Sequence, residues 1–159
     1  EPHSIYTKRL AESGELITHH KDKAVLSRLS IESLIERNFI PTSPEVTLGE
    51  FVKLVAKSQR NVFPVIDQEN NFLGVIFIND IRHIIFEHDQ YDTVYIRNLM
   101  YMPDTLIEYN ATMEDVAQKF AETAHYNLPV LKDGKYIGFV SRANVFSAYR
   151  KLVKDFSND

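Results

Sequence analysis

The stretch LPVLKDGKYIGFVSRANV, residues 128–145, carries an apolar Leu-Pro-Val into the polar turn Lys132-Asp133-Gly134-Lys135 and on into an apolar strand and a helix start. Residues 63–81, FPVIDQENNFLGVIFINDI, repeat the phrase. Pro64 and Pro129 lie 65 residues apart, and the same offset joins Thr47 to Thr112, Ala56 to Ala121 and Ile31 to Ile96. Past the turn the offset falls to 64, Gly74 with Gly138, because the second turn is one residue shorter. A single gap confined to a turn is what a duplication tolerates.

Both copies carry the same physical signals. Thr47 with Glu50, and Thr112 with Asp115, are helix starts in which the hydroxyl caps an N3 amide and the acid faces the positive helix end. Behind them Leu48, Phe51, Val52 and Val55 recur at helical spacing, as do Met113, Val116, Ala117, Phe120, Ala121 and Ala124, so each helix buries one face. Short apolar runs follow at 62–66 and 128–131, then turns at 67–71 and 132–135, then second strands at 72–78 and 136–141, which predicts one hairpin per copy. Ile81, Ile84 and Ile85 mark a helix after the first hairpin, and Val145, Tyr149 and Leu152 mark one after the second. Residues 39–40 and 106–107 each add a strand ahead of their copy. Units of this size bury too little surface alone, so two should pack together.

Composition narrows the function. Among 159 residues, 44% are hydrophobic and 25% charged, which allows a sizeable core. A net charge of −4 argues against nucleic acid as partner. With no cysteine there is no thiolate nucleophile, thiolate metal site or disulfide. His19 and His20 are adjacent and His83 and His88 stand five apart, neither at the spacing that puts two imidazoles on one helical face, so no metal site is expected. No carboxylate stands beside a nucleophile and the five glycines are not clustered, so neither an enzyme nor a phosphate loop is expected. No run of about 18 apolar residues is present. The chain starts at Glu1 rather than Met, and is expected to be a fragment of something longer.

The [FL]-P-V strand start, the Gly-led second strand and the acid or amide at the next helix start resemble a pair of CBS domains, the tandem module called a Bateman unit. The resemblance covers about 31–152. It implies a mixed α+β fold of pseudo-twofold tandem domains preceded by a helical linker, with 1–30 as linker, 31–90 as the first domain and 91–159 as the second; residues 90–97, polar with a few β-branched side chains, are the expected connector between the copies. It also implies a homodimer through the CBS domains, with no cofactor required and ATP, ADP or AMP as ligands the cleft can hold. In that family a Ser/Thr at the end of the second strand and an Asp three residues later contact phosphate and ribose. Here the first copy has Phe77 and Asp80, the second Ser141 and Asn144, so neither holds the complete pair. Asp80 and Asn144 also suit helix capping, and both roles stay open.

Residues 3–17, HSIYTKRLAESGELI, and 24–38, AVLSRLSIESLIERN, resemble the passage from the last membrane helix of prokaryotic CLC chloride channels and transporters into their cytoplasmic CBS pair. In that family a tyrosine in a short [PS]-[IL]-Y sequence coordinates the central anion. The matching residue is Tyr6, within Ser4-Ile5-Tyr6, and its phenol can serve chloride only where surrounding membrane helices dehydrate the ion. The resemblance implies a cytoplasmic regulatory and dimerisation domain of an integral membrane protein, a voltage-gated-type chloride channel or anion transporter, with the transmembrane portion of the same polypeptide as partner. The alternative is an adenine-nucleotide-sensing CBS module that regulates another protein.

Overall fold

The structure, a computed structural model, describes residues 29–157, so Tyr6 and all but the end of the expected linker lie outside the described residues. In the first repeat, helix α1 (Leu48–Lys57) is followed by strands β1 (Val62–Ile66) and β2 (Phe72–Phe77) and a one-turn helix α2 (Ile78–Ile81). In the second, strand β3 (Ile107–Glu108) precedes helix α3 (Met113–Ala121), strands β4 (Asn127–Lys132) and β5 (Lys135–Ser141) and the long helix α4 (Arg142–Ser157). The sheets have the orders β1-β2 and β3-β4-β5.

The expected caps are present. Thr47 Oγ1 accepts from Glu50 N at 3.2 Å, and Thr112 Oγ1 accepts from Asp115 N at 3.1 Å. Asp133 and Gly134, at φ 51° and 80°, form the tight turn of the second hairpin, the conformation an Asp-Gly pair favours. Strand-like lead-in at 39–40 reduces to one parallel bridge, Thr42 to Val65, whereas the equivalent position in the second repeat is the short strand β3.

The helix marked by Ile81, Ile84 and Ile85 is much shorter than the periodicity predicts. Residues 78–86 hold only one strong helix former, Arg82, among isoleucines, Asn79, Asp80, His83 and Phe86. Phe77 at the N-cap also offers no side-chain bond. The helix therefore breaks into turns after Ile81.

The described residues form two compact units that do not coincide with the repeats. Unit A gathers 29–36, Thr105–Val130 and 139–157; unit B gathers Arg37–Asp104 and Leu131–Gly138. Each repeat's lead-in thus belongs with the body of the other. In unit A, Met113 N donates to Leu29 O (2.7 Å) and Ile31, fully buried, reaches Ala111 O (3.4 Å). In unit B, Leu48 N donates to Val94 O (2.7 Å) and Ile96, also fully buried, to Val46 O (2.9 Å). Residues 90–97, expected as a connector, therefore include a core side chain. The unit A core joins Ile31, Val116, Phe120, Leu128, Val140 and Val145; that of unit B joins Phe51, Phe63, Val65, Ile76, Ile81 and Ile96.

Arg142, only 4% exposed, ties the end of α3 to the start of α4. Its Nη2 donates to Phe120 O at 2.8 Å and also to Thr123 O, and its Nε donates to His125 O at 3.0 Å. These carbonyls lie at and just past a helix C-terminus, where intrahelical donors run out. The guanidinium also sits 5.5 Å from the ring centres of Phe120 and Phe146. Arg142→Met should lower unfolding stability by about 3 kcal/mol, because it takes the guanidinium donor from one buried and two part-buried carbonyls. Urea denaturation reads this directly, and a loss under about 1 kcal/mol would mean that the clamp is not structural.

Candidate functional site

Strand β5 delivers Ser141 to the start of α4, where Ser141 Oγ accepts from Asn144 N at 3.1 Å. Ser141 is therefore the cap in the second repeat, and Asn144 supplies the capped amide. That leaves the Asn144 side chain for other work. Its Nδ2 donates to Glu36 Oε2 at 3.3 Å.

Glu36 comes from the lead-in of the first repeat, held by a ladder pair: Glu36 N to Phe139 O at 2.7 Å and Phe139 N to Glu36 O at 2.9 Å. Unit A thus brings together the Ser141 hydroxyl, the Asn144 amide and the Glu36 carboxylate at the surface end of a buried strand. Their chemistry is complementary. The carboxylate accepts, the amide both donates and accepts, and the serine hydroxyl keeps its proton to donate while its oxygen caps the helix. The amide at 144 also suits Glu36 in a way that Asp would not, since two carboxylates at this distance repel.

The equivalent position in unit B is built differently. Tyr101 stands where Glu36 does, 65 residues on, and Phe77 where Ser141 does. Tyr101 makes the matching ladder pair with Val75, at 2.9 and 3.1 Å. A Cβ on Gly74, at φ 153°, would meet Tyr101 O at 2.6 Å, so this close approach requires glycine. The Phe77 and Tyr101 rings stack with centroids 6.1 Å apart. Burial, then the charges of Asp80 and Asp104, push the Tyr101 phenol above its usual range. Asp80 is exposed in the first turn of α2, one position that the sequence placed in a site but that gains no hydroxyl partner from residue 77. Asp80 does not cap α2 either, since Phe77 holds that place.

Glu36 escaped the sequence reading because nothing local marks it; only the pairing of a lead-in with the opposite repeat places it. The 65-residue offset from Tyr101 was the available signal. Among the described residues no helix is long and apolar enough to cross a membrane.

A CBS-domain family model matches residues 31–87 and 96–151. The chain belongs to the CBS-domain family. Its two matches make a CBS tandem pair of mixed α and β structure, as the Bateman resemblance implies. Similar solved structures include CBSX2 in complex with AMP, 24% identical, covering 78% of this chain and 98% of that one with a TM-score of 0.64. Another is CbpB in complex with c-di-AMP, 19% identical, covering 87% and 95% of the two chains with a TM-score of 0.69. At these identities the likeness shows the CBS fold. Inosine-5'-monophosphate dehydrogenase of Bifidobacterium longum is 24% identical over 141 residues, 83% of this chain and 26% of that protein. The chain spans about a quarter of the length of the curated relatives it matches.

The Glu36 and Asn144 contact has a pH signature. Asn144→Asp sets two carboxylates together, which raises the pKa of one in the folded state above its unfolded value. Stability of that variant should then be present at low pH and fall as pH rises through the carboxylate range, relative to the parent chain. Urea midpoints across pH 3–7 (roughly the carboxylate window) that track the parent would show that residues 36 and 144 do not meet.

Proposed function

We propose that the chain is a regulatory CBS pair that binds an adenine nucleotide at the position built by Glu36, Ser141 and Asn144. The observation that carries this reading is the Glu36 to Asn144 contact at 3.3 Å. The family resemblance calls for a charged acceptor at residue 144 to hold the ribose; Glu36 supplies that charge from the neighbouring strand, and Asn144 and Ser141 supply donors. Two carboxylate oxygens can take both ribose hydroxyls, which an amide alone cannot. The AMP and c-di-AMP complexes of CBSX2 and CbpB support the ligand class. At the unit B position the aromatic pair Phe77 and Tyr101 replaces the hydroxyl and carboxylate, so Asp80 is left to contribute a ribose contact only, and the stronger site is the one in unit A. Thermal melts with AMP, ADP and ATP decide: a nucleotide at about 100 times its dissociation constant should add about 2.7 kcal/mol of stability. Glu36→Gln should reduce that gain. The absence of a shift at millimolar nucleotide would remove the reading.

A second reading concerns the parent protein: a cytoplasmic regulatory and dimerisation domain of a CLC-type chloride channel or anion transporter. It is favoured by Ser4-Ile5-Tyr6 and the 24–38 segment, which runs straight into the Leu29 and Ile31 bonds and on to Glu36. A membrane portion joined ahead of residue 29 would therefore pull on the same segment that carries the site carboxylate. Coupling of this kind requires that the two conformations differ in affinity for nucleotide. Homodimerisation is part of this reading, and Phe86, 78% exposed, is an apolar side chain available for it. Chloride flux from liposomes holding the parent polypeptide should respond to the nucleotide that stabilises this chain; a parent without apolar membrane helices would end the reading.

A further inference from the structure

The second hairpin turns at Asp133-Gly134, and its tip does not stand alone. Within unit B it pairs with the turn of the first hairpin: Asn71 bridges Lys135, Phe72 N donates to Gly134 O and Tyr136 N to Asn70 O, both at 3.0 Å. Asn70 Nδ2 donates to Tyr136 O at 2.8 Å, Lys135 Nζ donates to Glu69 O at 3.0 Å, and the Phe72 and Tyr136 rings stack with centroids 6.3 Å apart. The register between the two tips thus depends on the main-chain length of each turn.

The two turns hold their acids differently. Asp67 is tied down: its Oδ1 accepts from Glu69 N and Asn71 N, and its Oδ2 from Asn71 Nδ2, all at 2.9 Å. Asp133 is exposed and stands at φ 51°, and among the described residues its carboxylate has no hydrogen-bond or ion-pair partner. Gly134, also exposed, engages its carbonyl with Phe72 N, while its own N–H has no acceptor among the described residues. A Cβ at Gly134 would meet nothing within 4 Å, so this peptide is open to solvent. Asp133 is also the one Asp or Asn in the chain that is followed by glycine, whose missing side chain leaves the amide nitrogen unshielded.

We propose that Asp133 is a modification site, at which aspartate isomerises spontaneously and loosens the paired tips. In locally opened tips, the low-stability end of a fold, Gly134 N attacks the carbon of the protonated Asp133 carboxyl. An N–C bond forms, the carboxyl C–O bond breaks, and the hydroxyl leaves as water with the amide proton, which gives a cyclic succinimide. Water then adds back. Cleavage between Gly134 N and the side-chain carbonyl restores aspartate; cleavage between Gly134 N and the main-chain carbonyl gives isoaspartate, whose main chain runs through the side chain and is one methylene longer. That added length spoils the Asp-Gly turn and moves Gly134 O away from Phe72 N. The site is independent of the nucleotide reading.

The test ages the whole chain in warm neutral buffer and maps its peptides by chromatography and mass spectrometry. The peptide that holds Asp133 should split into two species of equal mass, with a minor third that is lighter by one water. The new species of equal mass should take a methyl group from a methyltransferase specific for isoaspartyl carboxyls. Peptides that hold Asp67, Asp92 and Asp115 should stay single. Asp133→Asn keeps a pair that the turn favours and releases ammonia instead of water, so it should form isoaspartate several-fold faster. In the isomerised chain, amide hydrogen exchange at Phe72 and Tyr136 should quicken. A parent Asp133 peptide that stays single, or isomerisation spread evenly over Asp67, Asp92 and Asp115, would overturn the site; unchanged exchange at Phe72 and Tyr136 in isomerised chain would overturn its effect on the tips.

Discussion

Glu36 and Phe139, 103 residues apart in sequence, exchange both of their backbone hydrogen bonds, and Tyr101 and Val75 do the same 65 and 64 residues away from each. Through these two ladder pairs, each repeat gives its lead-in segment to the body of the other. An isolated two-stranded hairpin is marginal in water, and an unpaired strand edge invites misassembly. The lead-ins meet both constraints: they bond to β2 and β5, and they bring Ile96 and Ile31 into the two cores. Because such contacts join distant parts of the chain, closing them costs chain entropy before it returns any packing.

The same pairing decides the chemistry of the site. Whatever side chain stands at the ladder position projects beside the start of the helix that follows the hairpin. In unit A that residue is Glu36, and the helix start has a serine cap and an asparagine amide. In unit B it is Tyr101, which stacks on Phe77, and the helix behind it lasts a single turn. One duplication has therefore diverged into a polar, hydrogen-bonding corner and an aromatic one. Asn144 suits its neighbour, since its amide donates to the Glu36 carboxylate where an Asp would repel it.

Much of this was legible in the sequence. The 65-residue offset, the Thr47 and Thr112 caps and the Asp133-Gly134 turn depend on local chemistry, and they lie where the spacing puts them. The length of α2 was not legible from periodicity, because isoleucines at helical spacing mark a buried face without supplying helix propensity or a cap. Arg142 was not legible at all, and Glu36 only through its 65-residue offset from Tyr101. Their roles depend on carbonyls and amides brought close by the fold, and a charged residue on a helix or lead-in has no pattern of its own to reveal that.

Amide hydrogen exchange on the whole chain, with and without AMP, tests the central claim most directly: that the crossed lead-in and the helix start form one site. The account predicts that AMP slows exchange together at Glu36, Phe139 and Asn144, the ladder pair and the capped amide. Slowing at Asn144 with Glu36 and Phe139 unchanged, or protection gained only elsewhere, would contradict it.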